Sequence, residues 1–277
     1  MPGTTGCIAG LRRRGAIRLA AVAGITLVGA VCFFLFAPII ALFLRSTPGD
    51  FLSALHDPRV TQALVLSLET AIASTAFAVV LGTPAAYLHS RSRYPGRQLV
   101  EVIIDLPLIL PPAVAGVALL MLWGRMGILG RYLHLAGIDI AFTTLAVVIA
   151  QAFVSSPLYI RQAKELFASL DPVYEQTAQT LGASPSTTFF RVVVPMTGAG
   201  LVSASIMAFA RALGEFGATL MFAGNLPGVT QTMPLAIYSA MQGDFEMAIT
   251  LSILLVIISF AIMALVRYTA KTGGPHA

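Results

Sequence analysis

The chain has 277 residues, of which 57% are hydrophobic and only 10% carry a charge. Soluble domains contain roughly 25% Asp, Glu, Lys and Arg, so a fold of this length would have too little charged surface to remain in water. Several apolar runs also reach the ~20 residues that a helix needs to cross a bilayer. The composition therefore excludes a cytosolic enzyme, a disordered protein and a secreted disulfide-rich scaffold, and it predicts an all-α integral membrane protein.

Apolar runs that contain few charges predict about six transmembrane helices, because helices satisfy their own backbone hydrogen bonds in lipid and the alternation of barrel strands is absent. The first run follows a basic leader, residues 1–18, and is too long for a signal peptide, so we interpret it as a retained helix. The other five helices form a predicted core over residues 60–266, followed by a tail, residues 267–277. The predicted spans are 19–44, 62–88, 99–123, 140–160, 198–222 and 247–266.

An even number of spans places both termini on the same side of the membrane. Most basic residues fall on that side, which the positive-inside rule identifies as cytoplasmic. The opposite side carries only Arg45, Arg59, Arg125 and Arg131. The sequence therefore predicts a multi-pass protein with both termini in the cytoplasm, and its net charge of +5 reflects topology instead of nucleic-acid binding.

Proline residues interrupt two of the predicted spans: Pro84 lies in the second, and Pro107, Pro111 and Pro112 lie in the third. Proline removes a backbone donor and kinks a helix, which lipid tolerates only where neighbours or water satisfy the freed carbonyl group. Such breaks suit a gated pathway, and they also occur in packed bundles that have no pathway. Both interpretations remain open at this point.

The segment of residues 171–195, between the fourth and fifth predicted spans, carries the signals of two short helices. An Asp–Pro pair opens the first helix and a Ser–Pro pair opens the second. Gly182 suits the left-handed position that ends a helix, and Pro195 is expected to stop the second helix. These signals predict a helix–turn–helix on the cytoplasmic face, although an amphipathic connector resting on the membrane would show the same signals.

The spacing of this segment resembles the EAA loop of permease subunits of ATP-binding-cassette (ABC) importers. The matching positions are Glu175, Ala178, Gly182 and Pro195, while Thr177 replaces the second small residue of the pattern. In that family the loop docks into a groove on a separate ATPase subunit and transmits its closure to the membrane helices. The resemblance implies the helical fold of an importer permease and a partner that binds ATP and Mg²⁺.

The chain itself contains no G-x-x-x-x-G-K-[ST] sequence for binding a nucleoside triphosphate. Its two cysteines and four histidines show no ligand spacing, so the sequence predicts no metal site. No convergent cluster of His, Asp or Cys suggests a membrane-embedded enzyme. We therefore expect no catalytic residue and no cofactor in this chain, and we expect ATP hydrolysis to come from another polypeptide.

Arg211 and Glu215 fall inside the fifth predicted span, where a charge is costly unless it meets a partner or a polar cavity. At about 100° per residue, both lie on one helix face together with Thr219 and a ridge of alanines. In one interpretation the charged residues are an i, i+4 ion pair that holds the helix in place. In the other, this face lines a translocation path and meets an anion. The alanines of the ridge are Ala204, Ala208 and Ala212.

Longer stretches resemble one branch of this family, the molybdate permease subunits. Sulfate permeases share the LGEFGA core of residues 213–218, so that motif does not identify the oxyanion. Thr219 and the following P-G-x-T-x-T-x-P-x-A-I-Y run favour molybdate, from which nearly isosteric tungstate cannot be separated. The stretches that resemble molybdate permeases are Asp105–Leu120, Gly124–Gly130, Ala150–Ala163, Phe209–Thr219 and Gly224–Gln242.

This resemblance implies an importer of molybdate or tungstate that works by alternating access in the inner membrane of a bacterium or an archaeon. The implied assembly contains a second copy of the chain, two cytoplasmic ATPase subunits and an extracytoplasmic oxyanion-binding protein. A sulfate or thiosulfate permease of the same type is one alternative. A secondary anion transporter without an ATPase is another, although it would have no need of an ATPase-docking loop.

Overall fold

A computed structural model describes residues 5–272, and every regular element in that range is helical. The outer parts of the predicted leader and tail, residues 1–4 and 273–277, lie outside the described residues. In chain order the elements are α1 (Thr5–Arg45), α2 (Pro48–His56), α3 (Pro58–Arg91), α4 (Arg97–Ile109), α5 (Pro112–Trp123), α6 (Gly130–Leu135), α7 (Thr144–Ser169), α8 (Val173–Thr180), α9 (Pro185–Thr188), a π-helical turn (Phe189–Val193), α10 (Val194–Leu213), α11 (Gly217–Ala223), α12 (Met233–Met241) and α13 (Phe245–Thr272).

The chain divides into two compact units between Asp50 and Phe51, and α1 belongs to the first unit. This helix contains the predicted span 19–44 and begins before it. From Val22 onward, most of its apolar side chains are exposed on all faces. A helix that is apolar all round is stable in lipid or in a protein core, so α1 has the length and composition of a membrane-spanning helix, and its retention stays a prediction.

Three long helices, α3, α7 and α10, form the centre of the second unit. They share a cluster of buried side chains that consists largely of alanines, together with Tyr159 and Phe167 of α7. Small residues let helix backbones approach closely, which matters in lipid because burial of apolar surface does not drive helices together there. Ala204, Ala208 and Ala212 of α10 are all fully buried, so the predicted alanine ridge is confirmed as a packing face.

Five of the described helices are long and apolar enough to cross a membrane, and the bent pair α4 and α5 would make a sixth. The predicted span 99–123 is not one continuous helix, because α4 and α5 meet at 113°. Leu110 is extended as expected for a residue before proline, and Pro111 and Pro112 begin the new helix. The prolines predicted a kink, and the structure shows a bend of more than a right angle.

The fifth predicted span, 198–222, is also interrupted, since α10 ends at Leu213 and α11 begins at Gly217. Glu215 lies in the break, and its Oε1 atom accepts a hydrogen bond from the backbone N–H of Ala218 at 2.8 Å. This bond satisfies one of the free donors at the start of α11. The expectation of one continuous helix was therefore wrong, because Glu215, which the sequence placed on the face of that helix, caps the start of α11.

Candidate functional site

The predicted helix–turn–helix of residues 171–195 is present, with side-chain caps at the start of both helices. Asp171 Oδ1 accepts a hydrogen bond from the N–H of Val173 at 2.9 Å, just before α8. Ser184 Oγ accepts one from the N–H of Thr187 at 3.2 Å, at the start of α9. Each cap satisfies a backbone donor that the first turn of a helix leaves free, which is why short helices form here.

The turn between α8 and α9 depends on Gly182, whose φ is +87°. The N–H of Gly182 bonds to the carbonyl of Gln179 at 2.9 Å, and the N–H of Ala183 bonds to the carbonyl of Ala178 at 3.0 Å. This pair of bonds closes the last turn of α8 and requires a left-handed residue at the glycine position. The predicted glycine turn is confirmed.

Pro195 does not stop the second helix, contrary to the expectation from sequence. The chain is helical from Pro185 to Leu213, through α9, the π-helical turn and α10. In the π-helical turn the N–H of Val194 bonds to the carbonyl of Phe189, five residues back. We attribute the continuity to this wider turn, which accommodates a residue that has no N–H and whose ring crowds the preceding turn of a regular helix. The loop is therefore continuous with a spanning helix.

Glu175, the acidic residue of the matched pattern, points toward the membrane helices and is only 9% exposed. One of its carboxylate oxygens accepts a hydrogen bond from the hydroxyl of Tyr87 at 2.7 Å, and the other accepts one from Nε of Arg91 at 2.8 Å. Arg91 also donates to the carbonyl oxygen of Leu170 at 2.9 Å. The first helix of the loop is thus bound to the end of α3 by a nearly buried ion pair.

Sequence reasoning did not identify Tyr87 and Arg91 as parts of this site. Arg91 was interpreted only as a topology signal, because basic residues are common at the cytoplasmic ends of spans. Its partner Glu175 is 84 residues further along the chain. No local spacing pattern connects residues so far apart, so only the packing of α3 against the loop reveals the pair.

The opposite face of α8 and the turn after it are exposed and partly apolar. Leu181 is 83% exposed, and Val173 and Tyr174 are also exposed. Ala178 is half-buried and Pro195 is exposed. These exposed apolar side chains are available for contact with another protein. The structure therefore separates an inward contact made by Glu175 from an outward surface around Leu181.

Arg211 and Glu215 form the predicted ion pair, with Arg211 Nη1 at 2.7 Å from Glu215 Oε2. The side chain of Glu215 is 1% exposed, and its other oxygen accepts the N–H of Ala218. The side chain of Arg211 is 35% exposed. Both carboxylate oxygens are therefore engaged inside the protein, while about a third of the Arg211 side chain is exposed.

Thr219, the third residue that the sequence placed on this face, lies elsewhere. It is fully buried in α11, and its hydroxyl has no hydrogen-bond partner among the described residues. Its neighbours Ala218 and Phe222 belong to a cluster with side chains of α5 and α7. The structure does not bring Thr219 to the surface at which Arg211 is exposed.

A cavity of about 450 Å³ lies beside α12 and α13, on the side that the sequence predicts to be extracytoplasmic. Asn225 in its wall donates to Ser239 Oγ at 2.8 Å and accepts from Gln231 Nε2 at 3.0 Å. Asp57 and Asp244 also line the cavity. The resemblance covered three of these residues without giving them a role, and the structure shows that they tie the segment before α12 to that helix.

Comparison with known proteins identifies a family for most of this chain. Residues 78–272 match the family described as the binding-protein-dependent transport system inner membrane component. The matched range contains the loop of residues 171–195 and both buried ion pairs.

Two curated relatives and one solved structure extend this match. The molybdenum transport system permease protein ModB of Mycobacterium tuberculosis is 45% identical over 243 residues, which cover 88% of this chain and 89% of the relative. The sulfate transport system permease protein CysT of Salmonella typhimurium is 33% identical over 238 residues, which cover 85% and 86%. A chain of a bacterial alginate ABC transporter, crystallised with an alginate pentasaccharide-bound periplasmic protein, has a TM-score of 0.73 at 15% identity and covers 94% of this chain and 96% of that chain. That structure shows that the fold is shared.

Gly182→Val should weaken binding to the ATPase subunit that the loop resemblance implies. A residue with a Cβ in this left-handed conformation loses about 1–2 kcal/mol. No atom lies within 4 Å of the added Cβ, so the strain acts on the backbone of the loop alone. The variant should insert into membranes in wild-type amounts but recover less ATPase when the two are co-purified.

Gly137→Val provides a matched control, because Gly137 has a φ of +79° and equally open surroundings. It lies between α6 and α7, on the side predicted to be extracytoplasmic, so the same backbone strain should leave ATPase binding unchanged. Wild-type ATPase recovery with Gly182→Val would contradict the assignment of this turn to the docking surface.

Proposed function

Because the chain belongs to the family of binding-protein-dependent transport system inner membrane components, we propose that it is the permease subunit of an ABC importer that moves molybdate into the cytoplasm. The observation that carries the proposal is the 45% identity to a molybdenum permease over 88% of the chain. A sulfate permease with similar coverage is only 33% identical. Sulfate or thiosulfate is therefore the second candidate, and tungstate, nearly isosteric with molybdate, is a further substrate of the same path.

The proposed assembly is a homodimer of this chain with two cytoplasmic ATPase subunits and an extracytoplasmic oxyanion-binding protein. The ATPase binds ATP and Mg²⁺, while this chain alternates access to a path and changes no covalent bond. The exposed surface around Leu181 supports a partner at the loop of residues 171–195. The distribution of basic residues supports a cytoplasmic position for that loop and for both termini. A secondary transporter would have no use for such a surface.

Arg211 is the residue that we propose to meet the anion. A divalent oxyanion loses hydration when it enters hydrocarbon, so its route must provide positive charge or hydrogen-bond donors. Glu215 engages one guanidinium nitrogen, and its other oxygen is occupied by Ala218, which leaves the exposed part of Arg211 for the anion. Thr219 is buried in this conformation, so its contribution to the path requires a movement of α11.

ATP hydrolysis by the reconstituted complex tests the proposed assembly. The purified permease should be a homodimer without ATPase activity, and activity should appear when the ATPase subunit is added. Binding protein loaded with molybdate should then stimulate hydrolysis in vesicles, and binding protein exposed to sulfate should not. Stimulation by sulfate alone would favour the second candidate, and failure of the permease to recruit an ATPase would contradict the proposal.

Arg211→Gln should strongly lower molybdate uptake while it leaves subunit assembly and basal ATP hydrolysis near wild-type values. The neutral side chain keeps much of the volume of arginine but removes the positive charge from the path. Arg161→Gln is the matched control, because Arg161 forms an exposed i, i+4 pair with Glu165 at 3.5 Å. Exposed pairs of this kind contribute only about 0.3–0.5 kcal/mol, so the control should transport normally.

The double variant Arg211→Gln, Glu215→Gln separates charge in the path from a purely structural pair. If the pair is only structural, Arg211→Gln leaves Glu215 buried without a counter-charge, and neutralising both residues should restore uptake. If Arg211 serves the anion, the double variant should stay as slow as the single one. Restored uptake in the double variant would contradict the proposed role of Arg211.

A further inference from the structure

The cytoplasmic end of α3 contacts α8, the end of α7 and the π-helical turn. Arg91 binds Glu175 of α8 and the carbonyl of Leu170 at the end of α7. Tyr87, one helical turn earlier, also binds Glu175, and its ring lies 4.8 Å from that of Phe189 in the π-helical turn. Residues four apart on a helix face the same way, so α3 presents both side chains to the loop together.

The ion pair between Arg91 and Glu175 is shielded from water and well directed. Arg91 Nη2 lies 2.6 Å from Glu175 Oε1, and the side chains are 22% and 11% exposed. The hydroxyl of Tyr87 occupies the second carboxylate oxygen. A shielded, fully hydrogen-bonded carboxylate is difficult to displace from its partners, because each lost contact leaves a charge without compensation.

This ion pair is also the side-chain connection through which α8 reaches a spanning helix. Within residues 5–272, the hydrogen bonds that α8 side chains form with spanning helices all go to Tyr87 and Arg91 of α3. α8 is joined to α7 and α9 by short non-helical stretches around Asp171 and Gly182. Movement of α8 is therefore coupled to α3 by side chains, and to α7 and α10 through the main chain.

We propose that Arg91 and Tyr87 are positioning residues that transfer movement of the coupling helix α8 to α3. This inference rests on the proposed function, in which an ATPase moves the loop. Because α3 packs against α7 and α10 through buried alanines, a displacement of its cytoplasmic end reaches the centre of the bundle. α3 then responds to ATPase closure together with α10, although it is not adjacent to the loop in the chain.

The test compares variants of the full transporter, with its ATPase and binding protein, in vesicles supplied with molybdate. Because Arg91 contacts the loop, uptake and hydrolysis in Arg91→Gln are compared in complexes that still contain the ATPase. Arg91→Gln should lower the amount of molybdate taken up per ATP hydrolysed, because closure of the ATPase would move the loop without moving α3. Tyr87→Phe keeps the ring contacts and removes one hydrogen bond, so it should lower the same ratio less.

Arg93→Gln is the control, because Arg93 is an exposed basic residue two positions beyond Arg91. This variant should preserve the wild-type ratio of molybdate taken up to ATP hydrolysed. The exchanged pair Arg91→Glu, Glu175→Arg should recover part of the uptake lost in Arg91→Gln, because it restores opposite charges across the same contact. A purely structural role would lower assembly and hydrolysis together and would not change uptake per ATP.

The outcomes separate this inference from the proposed function. Molybdate uptake by the wild-type complex without ATP would contradict the proposed function. If the wild type transports molybdate with ATP hydrolysis and Arg91→Gln shows the same uptake per ATP hydrolysed, only the proposed role of α3 is overturned. Loss of ATPase recruitment in Arg91→Gln and in the exchanged pair would also overturn it, because the contact would then be a requirement for loop folding.

Discussion

A helix in hydrocarbon has no water to satisfy free backbone groups, and this constraint explains how the chain interrupts its spanning helices. Between α10 and α11, the carboxylate of Glu215 accepts the N–H of Ala218. Between α4 and α5, Pro111 and Pro112 occupy positions at which a helix start would otherwise leave backbone donors free. At the π-helical turn the bond from Val194 to Phe189 keeps the helix continuous. Local chemistry thus stabilises each interruption.

Among the described residues, the two buried carboxylates both have arginine partners. A buried charge is costly unless a partner of opposite charge compensates it. The pair of Arg211 and Glu215 is local and stabilises a helix break, whereas the pair of Arg91 and Glu175 connects the loop of residues 171–195 to α3. One continuous helical stretch, residues 185–213, joins the loop to Arg211. The loop is therefore connected to the bundle by side chains of α3 and, through the main chain, by α7 and α10.

Much of the fold and part of the candidate site follow from local patterns in the sequence. Apolar runs identify the spans. The turn at Gly182 follows from the glycine itself, because few other residues adopt its left-handed conformation. The prolines predicted a kink near Leu110 but not a bend of 113°, and no proline marks the break at Glu215, so periodicity alone described that span as one helix. The contact of Arg91 with Glu175 joins residues 84 positions apart, and no local signal predicts it.

Uptake of labelled molybdate into vesicles tests the central claim most directly, since that claim is transport driven by a separate ATPase. Vesicles that contain this chain, its ATPase and ATP inside should accumulate molybdate when loaded binding protein is added outside. A large excess of sulfate should compete poorly, and vesicles without the ATPase should show no uptake under a proton or sodium gradient. Gradient-driven accumulation by this chain alone would contradict the account and identify a secondary transporter.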